Sequence, residues 1–239
     1  MKTLLNIGLF FTIFLQVLNA QTNAEAQQSV KGSVMARSRQ NLLTQLPTSV
    51  AYLTPEFEEV QVIYRDGSTF HGRMNVCLVD LSVRMINDRG DTLFVAHSDD
   101  VARVLSDNSV YVQIKGRFYK QLMVYGNLSI AQEKRFEFKE PEISAGYGSA
   151  PKTSTAVQMS TREYNHSRAY DYETEIPYSL DYKYVLIKDQ KIYPAKTSNF
   201  TKLFPDKKQA IKQFIADQHL DLGKKEDLLS LFYFCTQAE

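Results

Sequence analysis

Val60-Gln61-Val62-Ile63-Tyr64 runs through Arg65 into Asp66-Gly67-Ser68, and Thr69-Phe70-His71 follows. Two β-rich runs on either side of Asp-Gly are a strong short-range hairpin signal, because the tight turn needs positive φ and glycine supplies it. The same grammar repeats downstream. Leu81-Ser82-Val83-Arg84-Met85 alternates apolar and polar, breaks at Asn87-Asp88-Arg89-Gly90-Asp91, and resumes at Thr92-Leu93-Phe94-Val95. Val110 to Ile114 turns at Lys115-Gly116 into Arg117 to Tyr125, and Gly126-Asn127 turns again into Leu128 to Phe138. Strands at this spacing predict a mainly β (α+β) protein built on a small antiparallel roll or barrel-like domain, or a sandwich. Residues 98–104 fit either a helical turn at Ser98 or a strand from Val101 to Leu105. A turn followed by a strand is preferred.

Outward from that region the texture changes. Met1-Lys2 precedes an apolar run from Leu4 to Leu18 that ends at Asn19-Ala20. One charge, a short apolar core and a small residue predict a secretory signal peptide over residues 1–20. A spanning helix wants roughly 20 apolar residues, and this run is broken by Asn6, Gly8, Thr12 and Gln16. Cleavage after Ala20 is expected, with Ala24-Glu25-Ala26 as the alternative. Residues 21–50 are polar and predict a flexible lead, and 51–140 the β-rich domain. Residues 141–177 hold Pro141, Gly146, Gly148 and Pro151 with too little apolar content for a core. They predict a linker or an exposed excursion rich in tyrosine (Tyr147, Tyr164, Tyr170, Tyr172).

Residues 178–239 predict a hairpin and a helical tail. Tyr182–Ile187 and Lys191–Ala195 turn at Asp189-Gln190. Ser198 is placed to cap a short helix through Leu203. Pro205 suits the first turn of the next helix, where Ile211, Phe214 and Ile215 fall at helical spacing. Lys224 to Phe234 predicts a last helix with Leu228, Leu229, Leu231 and Phe232 turned inward. Helices this short gain their stability by docking.

The chain has 28 Lys+Arg against 27 Asp+Glu, so no global field steers it to nucleic acid or an anionic membrane. Cys77 and Cys235 can form a disulfide in an oxidising space or serve as small buried hydrophobes; both alternatives stand. No metal-ligand or nucleophile motif emerges, so no catalytic, cofactor-binding or metal residue is assigned and no cofactor is expected. His97-Ser98-Asp99-Asp100 reads as a capped turn in preference to a cation site. Glu56, Glu58 and Glu59 read as a solvated strand entrance. Asn127-Leu-Ser129, Asn165-His-Ser167 and Asn199-Phe-Thr201 match the glycosylation pattern, which matters only in a eukaryotic secretory pathway.

Two regions carry a resemblance. Tyr52-Leu53-Thr54-Pro55-Glu56-Phe57, Asp66-Gly67-Ser68 and Gly90-Asp91-Thr92, with Leu203-Phe204-Pro205-Asp206-Lys207-Lys208 and Lys224-Lys225-Glu226-Asp227-Leu228-Leu229, resemble a group of exported β-rich proteins of Bacteroidota that have a helical C-terminal tail and no assigned activity. The resemblance implies a bacterial source and an envelope setting: periplasm, outer-membrane surface or extracellular space. It implies no catalytic residues. The expected function is an exported non-enzymatic binding or structural module of the bacterial cell envelope, its partner an envelope protein or surface polymer. The alternatives are a secreted hydrolase, with His71, His97, Asp99 and Asp100 as its first candidates, and a small-ligand carrier with a hollow β-domain.

Overall fold

The computed structural model describes residues 29–36, 42–139 and 174–237. The expected signal peptide and nearly all of the tyrosine-rich segment lie outside these residues, as does Asn165.

The described chain is an open antiparallel sheet with a helical tail. Its strands are β1 (Val30–Ala36), β2 (Glu58–Tyr64), β3 (Thr69–Val76), β4 (Val83–Ile86), β5 (Thr92–Phe94), β6 (Val101–Ser106), β7 (Ser109–Ile114), β8 (Arg117–Tyr125), β9 (Leu128–Phe138), β10 (Thr174–Lys188) and β11 (Lys191–Pro194). Their order is β1-β10-β9-β8-β7-β6-β2-β3-β4-β5, with β11 beside the C-terminal end of β10. Among the described residues the sheet is open, with β1 and β5 at the two ends of its path, in keeping with the expected mainly β (α+β) class.

The turn chemistry explains the hairpins. Gly67, Gly90, Gly116 and Gly126 all take positive φ, as the turn dipeptides require. The β10–β11 turn has no glycine, and Asp189 and Gln190 adopt φ of 48° and 61° themselves. Residues 98–100 form a 3-10 turn leading straight into β6, the preferred order of turn then strand.

Three expectations are corrected. The lead is not uniformly free: β1 pairs with β10, from Val30↔Leu180 to Ala36↔Thr174. Leu42, Leu43, Leu46 and Val50 are buried in the main core, around a 3-10 turn (Leu42–Gln45) and the short helix α1 (Thr48–Ala51). Their spacing follows neither period over a long enough run to be seen in sequence. Secondly, residues 178–188 are no separate unit, since β10 pairs with β9 from Tyr178↔Phe138 to Lys188↔Leu128. Thirdly, Ser198 is not the cap. Helix α2 (Thr197–Leu203) starts two residues earlier than a Ser198 cap implies, behind Lys196, without a side-chain cap.

The sheet buries one face against two bodies in succession. Along β9 and β10, Phe136, Ile176 and Leu180 join Val62, Met74, Val76, Val83 and the 42–53 segment in one core. The even-numbered positions further along, Leu128, Ile130 and Leu186, face the tail. The tail comprises α2, a 3-10 turn at Pro205–Lys207, α3 (Lys208–Asp217) and α4 (Lys225–Thr236). Phe200, Ile211, Leu228, Leu231 and Phe232 are fully buried there. Phe214 stacks on Phe234 with centroids 4.2 Å apart. On the opposite face Ile114, Tyr119, Ala131, Val185 and Ile187 form a smaller cluster. Burial and the adjacent Glu133 push the Tyr119 hydroxyl up to about 12. No described helix is long and apolar enough to cross a membrane.

Candidate functional site

The most developed polar constellation lies where β3 hands over to β4. Cys77 follows the last residue of β3, and its amide donates to the Ser82 carbonyl at 2.8 Å, which closes a tight turn. Leu81 is driven to φ 59°, a conformation that costs an L-residue roughly 1–2 kcal/mol. Asp80 holds the turn together. Its carboxylate accepts from the Ser82 amide (3.1 Å) and hydroxyl (2.6 Å) and from the Arg84 guanidinium (2.5 Å). Burial opposes ionisation of Asp80, but the Ser82 bonds and the Arg84 charge outweigh it and hold its pKa below the usual carboxylate range.

Arg84 is consumed from below and covered from above. Its side chain is 12% exposed, and its guanidinium carbon lies 4.4 Å from the centroid of the Phe94 ring on β5. Phe94 itself is 67% exposed. The outcome is an exposed aromatic on a terminal strand, its ring resting on a cation neutralised by Asp80. Tyr52 bridges to Cys77 and packs on Phe57 at 5.1 Å. Burial, opposed by the Arg84 charge, raises the Tyr52 pKa.

Cys77 is not an activated thiol. It is fully buried, and burial pushes its pKa up to about 11, with the Asp80 charge acting in the same direction. A nucleophilic cysteine needs the opposite shift. Cys235 is buried in the tail core and pushed up to about 12. The two thiols are free and sit in different cores, so they act as the small hydrophobes of the second alternative.

The hydrolase candidates do not converge. His71 lines an open cleft of about 310 Å³ with Glu59, Gln61, Leu105, Ser106 and Asp107. It owes that place to the register, because Gln61 lies opposite His71 on one side and Leu105 on the other. His97, Asp99 and Asp100 are at the other end of β6, which from Val101 to Leu105 spans ~13 Å. His97 and Asp100 are 3.8 Å apart and 80% and 66% exposed. Their turn is an anchor. The Ser98 hydroxyl accepts from the Val83 amide and donates to the Val95 carbonyl, and the Asp100 carbonyl accepts from the Arg65 amide. Buried Gln113 donates to the Ser98 carbonyl. Among the described residues no group of three or more His, Cys, Asp or Glu is arranged to hold a metal ion.

Asp80, Arg84 and Phe94 went unmarked in the sequence. Asp-x-Ser signals a local turn, but nothing in the spacing places Arg84 beneath Phe94. That pairing arises only when β4 and β5 align Arg84 opposite Phe94. No family model matches the chain, and no curated protein or solved structure matches it either.

Proposed function

We propose that the protein is an exported, non-enzymatic binding module of a bacterial cell envelope. One observation carries this reading: the terminal strand β5 presents Leu93 (45% exposed) and Phe94 (67% exposed) on its two faces. Exposed apolar side chains on an edge strand are a liability that folded proteins avoid, and here one of them rests on the Arg84 guanidinium. A large exposed aromatic is the kind of side chain that anchors interfaces. The apolar run at residues 4–18 supports export, and the resemblance to exported Bacteroidota proteins supports the envelope setting. The interior that a small-ligand carrier would need is occupied by Leu42, Leu43, Leu46, Val50 and Leu53.

The test is co-sedimentation of the purified protein with an envelope fraction from a Bacteroidota species. A Leu93→Ser, Phe94→Ser double variant with an unchanged circular dichroism spectrum is expected to lose retention. Equal retention of both proteins would overturn the assignment to β5. Export has its own readout: the mature N-terminus is expected near residue 21, and an intact Met1 on cytosolic protein would refute it.

A further inference from the structure

The register of β5 specifies more than an apolar patch. Val95 donates to the Val83 carbonyl, and Asn87 donates to the Asp91 carbonyl. In an antiparallel pair, bonded and non-bonded positions alternate. Leu93 is therefore bonded to Met85, while Thr92 and Phe94 occupy non-bonded positions opposite Ile86 and Arg84. The N–H and C=O of Thr92 and of Phe94 consequently point away from β4, along an edge that no strand pairs among the described residues. The next outward carbonyl, Ala96, accepts from the Tyr64 hydroxyl at 3.2 Å, so the open stretch ends there.

Resting on the binding reading above, we propose that this edge takes up an extended segment of a partner polypeptide as an added strand. Backbone bonds to Thr92 and Phe94 would give the register. Leu93 on one face and Phe94 on the other would meet alternate side chains of the incoming strand. Charge selects the ends of that segment. Exposed Asp88 and Asp91 precede β5, and exposed Asp99 and Asp100 follow it. The exposed cations there are Arg89 and, when protonated, His97, whereas Arg84 is neutralised by Asp80. The occupant is thus an alternating apolar segment with Lys or Arg at its ends. A second copy of this chain fits less well. Pairing two three-residue strands falls far short of the ~1,200 Å² that a stable dimer buries.

The probe is the capped peptide Lys-Thr-Val-Thr-Val-Lys, titrated to millimolar concentration against the full-length protein by amide NMR. Hydrogen exchange at the Thr92 and Phe94 amides is expected to slow, while exchange at Leu93, already bonded to β4, stays unchanged. Thr92→Pro deletes one outward donor and leaves the β4 bonds and both apolar side chains in place. It is expected to weaken the peptide roughly tenfold, about one charge-free hydrogen bond, and N-methylation of the peptide backbone should do the same. Peptide binding unaffected by Thr92→Pro but lost with Phe94→Ser would overturn strand addition and leave the binding reading standing. No change at Thr92 or Phe94 in the wild-type protein would overturn strand addition directly, and unaltered envelope retention of the Leu93→Ser, Phe94→Ser variant would overturn the assignment of binding to β5 as well. Protection that rises with protein concentration alone would assign the edge to a second copy and overturn the proposed occupant.

Discussion

Replacing Lys134 by methionine should release the segment that closes the main core. Lys134 stands on β9, and its Nζ donates to the carbonyls of Ser49 and Tyr52 at 2.7 Å each and of Leu53 at 3.3 Å. These carbonyls lie at and beyond the C-terminal end of α1, where backbone acceptors lack intrahelical partners and a cation is favoured. The Tyr52 bond is partly buried and charge-assisted, worth about 2 kcal/mol. The Ser49 bond is exposed to water and the Leu53 bond is long, so together they add about 1 kcal/mol. Methionine preserves the apolar stem, so the loss should be about 3 kcal/mol, with no packing defect. In urea the midpoint should fall by about 1–2 M at an unchanged slope. Amides of Ala51, Tyr52 and Leu53, which bond to Pro47, Thr48 and Val76, should exchange faster than those of β9. Lys134→Arg should not restore stability, because a planar fork cannot converge on three carbonyls as an ammonium does. A loss below about 0.5 kcal/mol, or full rescue by arginine, would refute the reasoning.

Asp80→Asn should destabilise the protein by about 1–2 kcal/mol at pH 7, because the Arg84 and Ser82 bonds lose their charge. Asp80 has a lowered pKa, so its contribution is present above the unfolded-state value and disappears as pH falls through the folded one. The gap between wild-type and variant urea midpoints should therefore close between about pH 5 and the acid limit; a constant gap would contradict this. Gln190→Gly should raise stability by about 1 kcal/mol, since Gln190 is exposed at φ 61° and glycine pays no αL penalty there; the melting temperature should rise by about 2–4 °C. Both thiols should resist a thiol reagent in the native state and react fully on unfolding without reductant, given their burial and raised pKa values; one or no reactive thiol in the unfolded chain would contradict the free state of Cys77 and Cys235.

The hairpins were legible because their signals are local. Asp66-Gly67, Gly90, Lys115-Gly116 and Gly126-Asn127 each announce a turn through the conformations their backbones can adopt. The tail was legible through the spacing of Ile211, Leu228, Leu231 and Phe232 and through Pro205. What escaped was everything set by contacts between distant residues. Leu42 to Val50 look like a polar lead with scattered apolar residues until Lys134, 85 positions beyond Ser49, ties them to the sheet. Val30–Ala36 lacks a clean alternation, and it becomes a strand because β10 offers an open edge. Arg84 and Phe94 are unremarkable letters that meet only across the β4–β5 ladder.

By itself the sequence determined the class of fold, the positions of the turns and the apolar faces of the last helices, because dihedral preference and side-chain periodicity act over a few residues. The tertiary structure alone decided that the sheet stays open, with β1 and β5 at its ends, and that the two cysteines lie in separate cores. It alone decided which backbone groups of β5 face outward. Those properties follow from which strand edges pair, and strand pairing is settled by long-range register and burial, which no short window of residues encodes.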